Sequence, residues 1–445
     1  MLDKKENALR LPGLKKLLVS SKKFLKPTVF MSIGALISGG GGYVYQILMS
    51  RMLSLRDFVI LTALMSAIAI LSSVFEAKRL LWMREVAFFA PRSKVYAINI
   101  FEKYKKRLLN LLFFFSATIF ISFVFGDWIR KLVNGLSYEC LILGVACMMA
   151  TVFGTINNAV LGGLKRFGSL AISGVATIGL KIILSFVLVS LGFSLGGAIF
   201  GAILATLMVN FAMTNVIRKS FSRVYEAPAK SDNVSVIEQP TVLGTISATA
   251  IMTVMTQSDI LLANHFLKTD DAAVFCGVAI LGKAILYVNL SLVTVLFPLV
   301  TSEVRKKKRS HIAFSALFFM LFQCLLFSLV IYFAGDRLLL LLFGSRFAGN
   351  GGALFLYSLA MIPLSVVALL THLSIVYGIS EVKWALLVSS IIQISGVLFF
   401  HSNIESIIYC FGIGNLGCSL ALFVLFRKKL FSGSLKYSFS ETSKR

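Results

Sequence analysis

The sequence predicts an all-α polytopic membrane protein with twelve transmembrane helices in two six-helix repeats related by an axis along the membrane normal. Three observations carry that expectation. The 445 residues are 58% hydrophobic and only 14% charged; apolar runs of bilayer-crossing length recur along the chain; and short motifs of the first half return in the second at nearly one offset.

The mean hydropathy of +0.88 lies far above that of ordinary soluble domains. A helix rising 1.5 Å per residue needs about 20 apolar residues to cross roughly 30 Å of hydrocarbon. Such runs lie near 28–49, 57–76, 107–126, 138–162, 168–190, 196–217, 241–265, 272–298, 311–333, 353–376, 384–401 and 405–426. A membrane β-barrel is excluded, because its strands alternate apolar and polar residues whereas these runs are continuous.

The net charge of +25 is explained by topology. With the N-terminus placed in the cytoplasm, 35 Lys and Arg fall on the cytoplasmic side and 7 on the other, and Lys181 and Lys283 remain inside helices. The predicted location is the bacterial inner membrane, multi-pass, with both termini cytoplasmic. The dense clusters at Lys103 to Arg107, Arg305 to Arg309 and Arg427 to Lys429 suit anionic lipid heads, and no nucleic-acid partner is expected. Residues 1–27 hold no adequate apolar core for a cleavable signal and read as a basic cytoplasmic start. The six cysteines sit in or beside apolar helices, so neither disulfides nor a metal site is expected.

The halves are residues 28–217 and 241–426, joined by a cytoplasmic linker over 218–240 and followed by a basic cytoplasmic tail over 427–445. GDWIRKLVNG at 126–135 matches GDRLLLLLFG at 335–344; RMLSLRDFVILTA at 51–63 lies on HFLKTDDAAVFCG at 265–277; GLKRFG at 163–168 sits where GISEVK sits at 378–383. An even number of helices per half gives both halves the same orientation in the membrane. Gly335 to Gly352 reads as the longest loop on the non-cytoplasmic side.

Enzymatic chemistry has little to work with. The histidines, His265, His311, His372 and His401, form no HxxxH or HExxH pattern, and no GxxxxGK[ST] phosphate loop is present. Ionisable groups inside helices are expensive and therefore functional candidates. They are Lys181, Asp259 and Lys283, with Arg51 and Glu76 at membrane ends. Thr256 and Gln257 accompany Asp259, and Lys283 is placed to hold an anionic substrate or to pair with Asp259. Glu76 is expected to pair with Lys78 or Arg79.

Gly39, Gly40, Gly41 and Gly42 interrupt the first span with four residues that weaken a helix. Close packing accounts for them through small residues at four-residue spacing, Gly34, Ser38 and Gly42. The functional reading makes them a hinge and extends the stripe through Gln46 and Ser50 toward Arg51 as a cavity wall.

The stretch QILMSRMLSLRDFVILTALMS resembles the first-helix signature of polysaccharide exporters, carried here by Arg51, Leu53, Asp57 and Phe58, with Val59 where glycine is usual. QSDILLANHFLKTDDAAVFCGVAILGKAI and LFPLVTSE add Asp259, Leu267, Phe275, Pro298 and Ser302. The chain thus resembles the multidrug, oligosaccharidyl-lipid and polysaccharide (MOP) superfamily, which includes the MATE transporters, and within it the Wzx-type flippases.

That resemblance implies a MATE-like fold and a flippase moving an undecaprenyl-diphosphate-linked oligosaccharide across the inner membrane by alternating access, for surface polysaccharide such as O-antigen, capsule or exopolysaccharide. Its implied partners are the lipid-linked oligosaccharide, membrane lipids, a polysaccharide polymerase and chain-length machinery. No cofactor is implied beyond a coupling proton or sodium ion. An ion-coupled drug or cation antiporter of the same superfamily is the alternative, and an embedded polymerase or acyltransferase is a second. Arg51, Lys181 and Lys283 suit a diphosphate better than a cationic drug.

Overall fold

The computed structural model describes residues 34, 36–89, 106, 136–221, 239–289, 306–377, 379 and 381–431. Among them the helices are α1 (36–52), α2 (Leu55–Phe89), α3 (Tyr138–Gly163), α4 (Phe167–Leu188), α5 (Ser194–Phe221), α6 (Gln239–Phe266), α7 (Thr269–Gly282, resuming over 284–289), α8 (Lys306–Phe343), α9 (Gly351–Tyr377), α10 (Val382–Phe399) and α11 (Ile404–Phe431). The described residues contain no strand. The span expected near 107–126, the motif at 126–135, Pro298, Ser302 and most of the linker lie outside the described residues. Each of the other expected spans contains a helix.

The repeat is visible in the backbone. Where α1 passes into α2, the Leu53 N–H donates to the Met49 carbonyl and the Phe58 N–H to that of Ser54; where α6 passes into α7, Leu267 donates to Ala263 and Ala272 to Lys268. The two turns make the same backbone hydrogen bonds at the offset the sequence motif gives. Leu53 and Leu267 are both buried at these corners, which is why the apolar residue recurs. Ser54 caps α2 by accepting from the Asp57 N–H at 3.1 Å, and Asp270 and Asp271 place negative charge in the first turn of α7.

Within the first half α4 folds back on α5 and α3 packs against both α2 and α5; within the second, α9 packs on α8 and α11, and α10 on α11 and α6. The α4–α5 reversal, Val189–Phe193, needs the left-handed conformation of Gly192, φ 94°. The halves meet chiefly along α2, which contacts α6 and α7.

One expectation is corrected. The segment from Gly335, expected as a loop of about twenty residues, is helical to Phe343, so only 344–350 connect α8 to α9, with a single 3₁₀ turn at Ser345–Phe347. Five consecutive leucines carry the helix on, and Gly344 at φ 101° stops it. Asp336 is therefore a helical residue whose Oδ1 accepts from the Gly351 N–H at 2.7 Å, holding a carboxylate at the N-terminus of α9. Exposed Phe314, Phe318, Phe322 and Phe333 give α8 a continuous outward apolar face, suited to lipid.

Candidate functional site

Asp259 on α6 and Lys283 at the break in α7 form an ion pair of 2.8 Å inside the second half. They are 2% and 3% exposed. Tyr357 of α9 donates its hydroxyl to the other carboxylate oxygen of Asp259. Its ring reaches that position because α7 has glycine at its crossing: a Cβ on Gly282 would lie 2.3 Å from Tyr357 Cδ1, and one on Gly277 2.8 Å from Phe347 Cδ1. Both carboxylate oxygens are thus engaged, as a charge buried away from water requires.

A second group of polar side chains stands where the halves meet. Ser66 of α2 donates to Gln257 Oε1 at 3.4 Å, and Gln257 Nε2 donates to the Tyr287 hydroxyl at 3.3 Å. The Tyr43 ring on α1 meets that of Tyr287 edge-on, with centroids 6.2 Å apart. The Tyr43 hydroxyl and Gln46 Oε1 are buried with no hydrogen-bond partner among the described residues. Close by, Thr62 of α2 donates to the Cys276 sulfur of α7 at 3.1 Å.

At the α1–α2 end the halves are fastened together. The Arg51 Nε donates to the Leu342 carbonyl at 2.8 Å, and its terminal nitrogen donates to that of Leu341. A cation thereby sits on carbonyls at the C-terminal end of α8, where the helix dipole favours it. Phe58 meets Phe343 at a tilt and Phe347 edge-on, with centroids 6.5 and 6.3 Å away.

No known protein family's profile matches the chain, and no curated protein does either. Solved structures do. The chain is similar to an inward-facing multidrug resistance MATE transporter of the MOP superfamily, at 15% identity and TM-score 0.64, over 89% of this chain and 95% of that one. It is likewise similar to the lipid II flippase MurJ in an inward closed conformation, at 14% and 0.66 over 92% and 90%. A third likeness is to a MOP-superfamily transporter from Pyrococcus furiosus, at 16% and 0.62 over 92% and 96%. The chain has the fold shared by these MATE and MurJ structures.

Within that fold the residues singled out from the sequence fall into separate places. Asp259 and Lys283 meet each other inside the second half, so neither offers a bare charge to the space between the halves. Arg51 is exposed and spent on α8 carbonyls. Lys181 on α4 lies half-buried within the first half, its ammonium 3.9 Å from the Tyr45 ring centroid, and Tyr45 in turn donates to the Ala198 carbonyl. Thr256 gives its hydroxyl to the Thr253 carbonyl of its own helix. Gln257 stands at the junction of the halves, and Gln46 lies on α1 three residues after Tyr43 with its Oε1 buried. Glu76 pairs with Arg79 at 2.7 Å.

The glycine run is helical throughout, with Gly39, Gly40, Gly41 and Gly42 all inside α1. The packing stripe is shifted from the expected one. A Cβ on Gly34 would lie 2.6 Å from Ala171 Cβ, one on Gly41 2.8 Å from Ile178 Cγ1, and one on Gly174 2.8 Å from Ser38 Oγ. Gly34, Ser38, Gly41 and Tyr45 therefore form the seam with α4, following the 3.6-residue period rather than strict fours. Gly39, Gly40 and Gly42 have no neighbour among the described residues within 4 Å of an added Cβ.

Sequence reasoning missed Tyr357, Tyr43 and Tyr287, and also the buried amides. Asn157 donates to the Asn210 carbonyl, and Gln393 donates to Asn415 at 2.6 Å. A lone amide or phenol in an apolar helix is the available signal, since hydrocarbon leaves it no partner but another helix.

Proposed function

We propose that the chain is a flippase that translocates a lipid-linked oligosaccharide, carried on undecaprenyl diphosphate, across the bacterial inner membrane for surface-polysaccharide synthesis. The fold supports a transporter or flippase of the MOP type. The observation favouring a lipid-linked glycan over a cationic drug is the Asp259–Lys283 pair. The carboxylate a cationic cargo would seek already holds an internal cation, while the described groups hydrogen-bonded around Gln257 are neutral: an amide, a hydroxyl and a phenol.

The halves rock about this junction in alternating access. With the N-terminus in the cytoplasm, the Arg51 and Phe58 contacts lie at the extracytoplasmic end and tie the halves together there. Opening that end breaks two charge-assisted hydrogen bonds at the end of α8. A coupling proton or sodium ion at Asp259 would have to displace Lys283, which ties ion binding to rearrangement of α7.

Deletion of the gene, with analysis of surface polysaccharide and its lipid-linked precursor, tests the reading. Loss of polymer with precursor held on the cytoplasmic leaflet is expected. Unchanged glycan with new drug sensitivity establishes the antiporter instead, and covalent change of the glycan by the purified chain would establish an enzyme.

A further inference from the structure

We propose that Tyr43, Gln46, Gln257 and Tyr287 form a sugar-binding subsite at the junction of the halves, reading the glycan of the cargo rather than its diphosphate. The inference rests on the flippase reading and names the part of the cargo these residues take.

The four come from both halves: Tyr43 and Gln46 lie on one face of α1, three residues apart, while Gln257 is on α6 and Tyr287 near the end of α7. Their chemistry is that of carbohydrate recognition. A pyranose offers an apolar face of C–H groups that lies against an aromatic ring, and equatorial hydroxyls that both donate and accept. Tyr287 is 43% exposed despite its partners, so part of its surface is open to contact. Gln257 holds that phenol by donating to its hydroxyl, which leaves the O–H itself to donate elsewhere.

Two polar atoms of the cluster stay unmet. The Tyr43 hydroxyl and Gln46 Oε1 are buried without a partner among the described residues, an arrangement that costs free energy unless a ligand completes it. One is a donor and acceptor and the other an acceptor, a set that suits a hydroxyl. On α1, Gly39 and Gly42, one turn before Tyr43 and Gln46, have nothing among the described residues within 4 Å of an added Cβ. Among the described residues no carboxylate or ammonium hydrogen-bonds to these four side chains, which suits them to a neutral hydroxylated ligand.

The test uses the full chain in nanodiscs and two probes: an undecaprenyl-diphosphate-linked trisaccharide and undecaprenyl diphosphate without sugar. The wild-type chain should bind the glycosylated lipid tighter, by roughly tenfold or more, the loss expected for a stacking contact plus a hydrogen bond. Tyr287→Ala and Gln257→Leu should abolish that ratio while leaving affinity for the bare lipid diphosphate intact. Tyr287→Phe, which keeps the ring and its packing, should retain part of it.

If the variants keep the ratio, or lose affinity for both probes alike, the subsite is overturned while the flippase reading stands. A wild-type chain that binds both probes equally overturns it too. Binding of neither probe, with binding of the lipophilic cation tetraphenylphosphonium instead, overturns the flippase reading and the subsite together.

Discussion

Removing one partner of the Asp259–Lys283 pair should destabilise the second half more than removing both. The two atoms are 2.8 Å apart with almost no solvent contact. At an effective dielectric of about 20 their attraction is about 6 kcal/mol, offset by a desolvation cost of several kcal/mol for each ion. The pair as a whole is therefore worth little, yet an orphaned ion keeps its desolvation cost, and breaking such pairs costs about 3–5 kcal/mol. For a unit of 150–250 residues, each kcal/mol lowers the melting temperature by roughly 2–4 °C. Asp259→Asn and Lys283→Met should thus each lower it by about 6–20 °C. Melting of the purified full chain can be followed with a thiol-reactive dye, because Cys276, Cys324 and Cys418 are buried and react only on unfolding. The double variant should melt above either single. If the two losses simply add, the pair does not behave as one buried unit and the reasoning fails.

Three further outcomes follow from contacts. Gly282→Ala would force its methyl into Tyr357, 2.3 Å away, so it should cost about 1–3 kcal/mol and weaken the Tyr357–Asp259 bond, read by the same melting assay. Gly41→Ala should destabilise by about 1 kcal/mol or more against Ile178, whereas Gly40→Ala, facing open space, should be neutral or gain up to about 1 kcal/mol from helix propensity; equal effects would refute the α1–α4 seam. Arg51→Gln should loosen the α1–α8 fastening by about 1 kcal/mol, a discounted value for an exposed group, raising the open population roughly fivefold in distance measurements between spin labels on α2 and α8.

The fold was largely legible because hydrocarbon imposes one rule on every segment: apolar side chains outside and backbone bonds inside. That rule located the helices, and the corner leucines Leu53 and Leu267 exposed the repeat. The loop at Gly335 was misread because glycine and aspartate normally punctuate helices, whereas Asp336 serves the N-terminus of the next helix across space. The site was half legible. Asp259 and Lys283 stood out as costly charges and their pairing was one of the two readings the sequence offered; how α6 crosses α7 decides for it, and Tyr357 depends on an even longer-range contact. Lys181 shows the limit most clearly, since its partner is an aromatic face on another helix and carries no charge signal.

The two halves share a backbone plan and differ in what fills it, and that difference bears on how the junction works. In the first half the α1–α4 contact is built from Gly34, Ser38 and Gly41, with bare backbone brought close and Gly39, Gly40 and Gly42 left open beside it. In the second half the corresponding helix α6 carries Thr256, Gln257 and Asp259, each hydrogen-bonded, and Asp259 fixes α7 and α9 in place. A tightly bonded half facing a half with unfilled space beside its first helix places adaptability on one side of the junction. On the proposed function, cargo entering between them would meet the glycine face of α1 and the fixed hydrogen-bonding groups of α6 and α7. Filling Gly39 and Gly42 together with alanine tests this asymmetry: abundance should hold, because nothing is displaced, and transport of the lipid-linked glycan should fall. Unimpaired transport in that variant would show that the open face of α1 is not where the cargo passes.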